Sequence, residues 1–274
     1  MAIFNDYRSH GFNAYLNWIF DNDMGSDEKY HMAWCDKELG KAYLQNAAMS
    51  LSSLLDGQPN DPEFDVLIFP VLFGLWQSIE LQLKAGNRLC DLLLKDATNY
   101  KYVTHDLSIL RDDFERKLAR LGFRNVKNNH LAGMDEFIDE CKTKNAHFDF
   151  ARYTRMSDGS EQFYLKKNPT TGFVENTCVD MYELGRIIAN IIEHLPEVTS
   201  YLYDYIGTYG VDDLTHLNDA SLDDYAKPCE FEASVDVGEH SSVADVYAKY
   251  EALIRSNLEK KKAAETESAA KQKE

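Results

Sequence analysis

Within the stretch Leu75 to Leu118 a long apolar helical pattern carries Glu80 and Lys84 one turn apart, and His105-Asp106 opens the next helical pattern. A carboxylate, an ammonium and an imidazole are the groups of acid–base chemistry. They are equally the groups of an ionic network that fixes how helices dock, and the sequence leaves both readings open. A charge among core-forming residues is costly unless paired, so these side chains are expected to meet in a buried or half-buried cluster. Residues 80 and 84 share one helix face, and His105 at a helix start can turn toward the preceding helix, expected to lie antiparallel to its own.

The elements that must position these groups follow from hydrophobic spacing. Amphipathic helices are expected over 3–21 and 27–55, the second with Tyr30, Trp34, Leu39, Tyr43, Leu44, Ala47 and Leu51 on its apolar face. After the turn GQPNDP, Asp61 and Pro62 suit the cap and first position of a helix over 62–95, with a kink expected at Pro70. A helix over 106–121 should stop at Gly122, and a shorter one should cover 131–144.

From Phe148 to Asn176 the pattern changes to short alternating runs, FDFARY, EQFYLK and GFVEN, separated by SDGS and KNPTTG. They predict an antiparallel β-hairpin or a small three-stranded sheet. Helix resumes behind Asp180 with Leu184, Ile187, Ile188, Ile191 and Ile192, and Pro196 is expected to open a second, tyrosine-rich helical segment ending at Gly210. The stretch 211–239 reads either as an irregular extension on the bundle or as a loop, and 240–260 as a last helix. The expected fold is therefore mainly α: a helical bundle over 1–195 with a β insertion near 148–176 before the closing helix, an acidic, tyrosine-rich helical extension over 196–260, and a disordered charged tail over 261–274.

Composition narrows the classes. With 274 residues, 44% of them apolar, the chain has material for a sizeable core. No run of about 18 uncharged apolar residues is present, and the start MAIFNDYRSH lacks the basic end and oily block of a secretion signal, so no membrane span and a cytoplasmic location are expected. Five cysteines, odd in number and without a CxxC pair, fit reduced thiols better than a disulfide frame or a cysteine metal site. The net charge is −17, and residues 196–258 set thirteen Asp/Glu against Lys227, Lys249 and Arg255. That region would repel a phosphate backbone and attract a basic protein surface, or simply keep the protein soluble. With no glycine-rich phosphate loop, HExxH or GxSxG, and with His31, His147, His194, His216 and His240 lacking ligand spacing, neither a cofactor nor a metal is expected.

The run Glu80-Leu81-Gln82-Leu83-Lys84, followed by His105-Asp106-Leu107 and then by Phe150-Ala151-Arg152-Tyr153, resembles a group within the HEPN superfamily. These are helical bundle proteins of bacterial defence, toxin–antitoxin and abortive-infection systems, and the resemblance covers roughly residues 62–195. In that group the pieces read as an ELxLK helix, an HDL helix start and an RYP strand; here Thr154 stands in place of the proline. Carried over, the resemblance implies a structural polar cluster of Glu80, Lys84, His105, Asp106, Arg152 and Tyr153.

Many HEPN members are metal-independent ribonucleases marked by an Arg, a polar residue, a few more residues and a His, commonly paired across a dimer axis. Arg124-Asn125-Val126-Lys127-Asn128-Asn129-His130 fits that signature, making Arg124 and His130 the implied catalytic pair. The histidine would move the proton of a ribose 2′-hydroxyl that attacks its own phosphate, and the arginine would hold the developing charge. The resemblance thus implies RNA as substrate and a homodimer. The alternative is a non-catalytic regulator or phage antagonist that binds a protein through its acidic surface, nucleic-acid mimicry included.

Overall fold

A computed structural model describes residues 28–55, 64–96, 104–126, 130–144, 155, 159–174 and 178–225. Within them the protein is mainly helical: α1 (Glu28–Leu55), α2 (Phe64–Leu93), α3 (Leu107–Arg120), α4 (Ala132–Lys144), α5 (Met181–Tyr209) and the short α6 (Asp219–Tyr225). The expectations for 3–21, 240–260 and 261–274 lie outside the described residues, as do Arg152 and Tyr153.

Helix α2 is the axis of the bundle. It is apolar nearly all round, which in a water-soluble setting requires neighbours on most sides, and α1, α3 and α5 supply them. By length and composition it could cross a membrane, yet most of its apolar window is buried inside the protein. Pro70 lies within α2 without ending it. It sits on an exposed stretch, where water can satisfy the carbonyl that its missing N–H leaves unbonded.

Contacts give the directions of the helices. Asp36 meets Arg88, Gln82 bonds the Lys37 carbonyl, and Gly74 faces Ala47, so α1 and α2 run antiparallel. Between α2 and α3 the order is different: Glu80 meets His105, Asn87 meets Leu110, and Asp91 meets Lys117. Both numbers rise together, so α3 runs parallel to α2, which corrects the antiparallel pairing expected from sequence. Walking back from residue 93 to residue 80 covers only about 20 Å of helix. The thirteen residues between the two helices reach about twice that distance when extended, so the chain can return before α3 begins.

Two close approaches fix this core. Gly86 faces the buried ring of Phe114, where a Cβ would lie 2.5 Å from Cε2, and Gly133 does the same for α4 against Asn190 on α5. Helix α3 starts on Asp106, whose carboxylate accepts from the N–H groups of Ser108 and Ile109 at 2.9 and 3.3 Å. It is followed by Gly122, at φ 98°, which lets the chain turn away.

Helix α5 runs unbroken across Leu195-Pro196, where the sequence suggests a join between bundle and extension, so Pro196 lies inside a helix rather than opening one. The apolar face of Ile187, Ile188, Ile191, Leu195, Val198 and Leu202 continues through the proline, and that continuous burial outweighs its local cost. Among the described residues of 148–176 there is no extended strand; two isolated antiparallel bridges, Arg155 with Glu161 and Lys167 with Val174, and a 3₁₀ turn at Phe163–Leu165 stand there.

Candidate functional site

Two polar clusters interrupt the oily interior near the residues singled out from sequence. In the first, Lys84 Nζ lies 2.7 Å from Glu80 Oε1, and His105 Nδ1 lies 2.9 Å from the same oxygen. Glu80 and Lys84 are buried, whereas the His105 side chain is 64% exposed. Helix spacing puts the first two on one face, and the Asp106 cap places His105 at their level. Asp36 and Arg88, paired at 3.1 Å, border this group on the α1 side. Burial raises the Asp36 carboxyl above its usual range despite the pull of Arg88 and Lys84. The arrangement compensates most of its own charge and offers solvent one imidazole, oriented by a buried carboxylate.

The second cluster gathers around His130, two residues before the start of α4. His130 is buried at 7% exposure, its Nε2 lies 3.1 Å from Asp223 Oδ1, and its ring meets that of His194 edge-on, with centroids 5.6 Å apart. Each of His130, His194 and Glu197 offers a ligand atom, and these atoms lie within 4.8 Å of one another. Burial and the neighbouring charge of Glu193 push the Glu197 carboxyl up to about 7, while burial lowers His194. These residue types could exchange protons or hold a cation.

Arg124 is not part of that gathering. Its side chain is exposed, and its role in the described structure is played by the backbone: the N–H groups of Arg124 and Asn125 donate to the Asp219 carboxylate at 3.0 and 3.2 Å. Both ends of the Arg124–His130 segment are therefore held by α6, one by Asp219 and the other by Asp223. Lys127, Asn128 and Asn129 lie outside the described residues.

Sequence reading missed three features here. His194 and Glu197 are spaced three apart on one helix face, a signal that was available but weak among eight histidines. Lys117 is buried between Asp91 Oδ1 at 2.7 Å and Asp113 Oδ2 at 2.8 Å. Gln82 donates to the Lys37 carbonyl at 2.9 Å and accepts from Thr199 Oγ1 at 2.6 Å, tying α1, α2 and α5 together. Cys35, Cys90 and Cys141 are buried free thiols and Cys178 an exposed one; burial pushes Cys90 and Cys141 far above the usual thiol range, as suits unreactive core positions.

Comparison with known proteins finds no family model, curated protein or solved structure that matches this chain.

Proposed function

We propose that the chain is a non-catalytic, HEPN-like helical module of a bacterial or phage conflict system, acting in the cytoplasm by binding a basic protein surface. The observation that carries the reading is the use of the Arg124–His130 segment as a seat for α6. A nuclease histidine must reach a ribose hydroxyl, yet His130 is buried and engaged with Asp223. Asp219 and Asp223 set negative charge against both ends of the segment, which disfavours a phosphodiester. The contact of the Glu80–Lys84 helix with His105 at the start of α3 supports the HEPN-like assignment, and the two antiparallel bridges support a small hairpin before α5.

The α5–α6 corner suits the binding role. Tyr201 and Tyr205 donate to the carbonyls of His216 and Asp213 and so lock the connection onto the bundle. Around them Tyr209, Leu214 and Tyr225 remain exposed beside Asp204, Asp212, Asp213 and Asp224. Tyrosines and apolar side chains bordered by carboxylates fit a partner rich in Arg and Lys.

The test pairs capture of host or phage proteins with an RNA cleavage assay in the absence of metal. The reading expects a partner retained by the full chain and lost when Tyr209→Ala, Tyr225→Ala and Asp224→Asn are combined, with no RNA cleaved. RNA cleavage abolished by His130→Gln with the helical spectrum retained would overturn it in favour of the ribonuclease. Sizing of the same preparation reads the homodimer that the family resemblance implies.

A further inference from the structure

We infer that His130, His194 and Glu197 form a zinc site that staples the α6 corner to the bundle. The two imidazoles and the carboxylate converge from different elements, His130 from the residues before α4 and the other two from adjacent turns of α5. Their ligand atoms, within 4.8 Å of one another, need to close by up to about 1.4 Å to reach the roughly 3.4 Å edge of a tetrahedron with metal–nitrogen bonds near 2.0–2.1 Å. Such a movement lies within the rotamer freedom of His194 and Glu197, which are only half-buried.

A second observation points to an electrophilic ligand. The Nδ1 atoms of His130 and His194 are buried and have no hydrogen-bond partner, and His130 is more than nine-tenths buried. A buried imidazole nitrogen with nothing to bond is costly, and coordination would remove that cost. The opposite nitrogen of His130 faces Asp223, so Nε2–H can donate to that carboxylate while Nδ1 presents its lone pair. A carboxylate behind a ligand histidine fixes its tautomer and raises its basicity, an arrangement common at zinc.

The surrounding charge agrees. Glu193 and Glu197 repel each other, and a divalent cation would turn that repulsion into attraction. Two nitrogens and one oxygen without thiolates suit Zn²⁺ better than Mg²⁺ or Ca²⁺, which want mainly oxygen. Three protein ligands leave the fourth tetrahedral position to a water, and through Asp223 the metal would hold α6, and with it the exposed Tyr225, against α5. The site stands independently of any partner for the acidic corner.

The test uses the full chain, stripped with a chelator and titrated with Zn²⁺ against a chromogenic competitor, with Co²⁺ absorption as the geometric readout. One Zn²⁺ per chain is expected, with a tetrahedral-type Co²⁺ spectrum and an upward shift in melting temperature. His194→Gln and Glu197→Gln should each weaken binding at least tenfold, Asp223→Asn by about 10- to 100-fold as an outer-shell partner, and His216→Gln not at all. Since His130 is buried, the half-buried pair on α5 carries the decision if His130→Gln misfolds. Substoichiometric zinc, or binding unchanged in His194→Gln and Glu197→Gln, would overturn the site.

Discussion

Replacing Lys117 by methionine should be among the most damaging single changes that leave the core volume nearly intact. Its ammonium sits between Asp91 and Asp113, and the three side chains are exposed by 3%, 0% and 4%. Lys117→Met removes the ammonium held between those two carboxylates, leaving Arg116 in contact with Asp113 from the solvent side. Breaking a buried ion pair by deleting one partner costs about 3–5 kcal/mol, because the remaining charge stays desolvated. Single domains have only about 5–15 kcal/mol to lose. With roughly 2–4 °C of melting temperature per kcal/mol at this size, the fall should be on the order of 10 °C.

Equilibrium urea unfolding followed by circular dichroism measures the loss. The mechanism has a signature beyond its size: adding Asp91→Asn and Asp113→Asn to Lys117→Met should recover most of the loss, since removing all the charges of a buried network is often close to neutral. A loss under about 1 kcal/mol, or one that the added substitutions do not relieve, would refute the view that these three residues are a mutually dependent ionic group.

Three further outcomes follow from the packing and the charges. Gly86→Ala should cost about 1–3 kcal/mol in urea unfolding, because its Cβ meets the fully buried Phe114 ring at 2.5 Å. Glu80→Gln should cost about 2–4 kcal/mol by stranding Lys84, whereas His105→Ala should cost under about 1 kcal/mol because its side chain is 64% exposed; equal losses would mean that His105 is not the open end of the network. The raised Asp36 carboxyl makes the native state hold that proton more tightly than the unfolded chain. Its contribution to stability is therefore full at low pH and falls as pH rises from the ordinary carboxylate value through the raised one, and Asp36→Asn should flatten that part of the measured stability profile.

Helix boundaries were legible wherever periodicity and caps agreed. Asp106 before Leu107, Gly122 after Leu121 and Asp180 before Met181 each mark an end in the sequence and stand at an end in the structure. Pro196 misled because local propensity argues for a break, whereas the apolar face from Ile187 to Leu202 buries enough surface to carry the helix through. The direction of α3 was hidden for another reason. A connector of that length is compatible with either direction, and the deciding contacts, Asn87 with Leu110 and Asp91 with Lys117, join residues more than twenty positions apart. The meeting of Glu80, Lys84 and His105 could be anticipated from helix spacing and from the cost of burying charge, while that of His130 with His194 could not, because nothing local links α4 to the middle of α5.

The polar residues of α2 find their partners on three neighbours at several levels. Gln82 binds α1 and α5, Arg88 binds α1, Glu80 meets His105 just before α3, Asn87 binds the first turn of α3, and Asp91 binds Lys117 near its end. An oily rod of this length could slide or rotate against its neighbours by a turn at little cost in apolar contact. A one-turn slip here would break several of these bonds together, each leaving a buried polar atom unmet at about 1–3 kcal/mol. The polar groups therefore select one register for the whole bundle, and that register brings the residues before α4 to the level of His194 and Glu197.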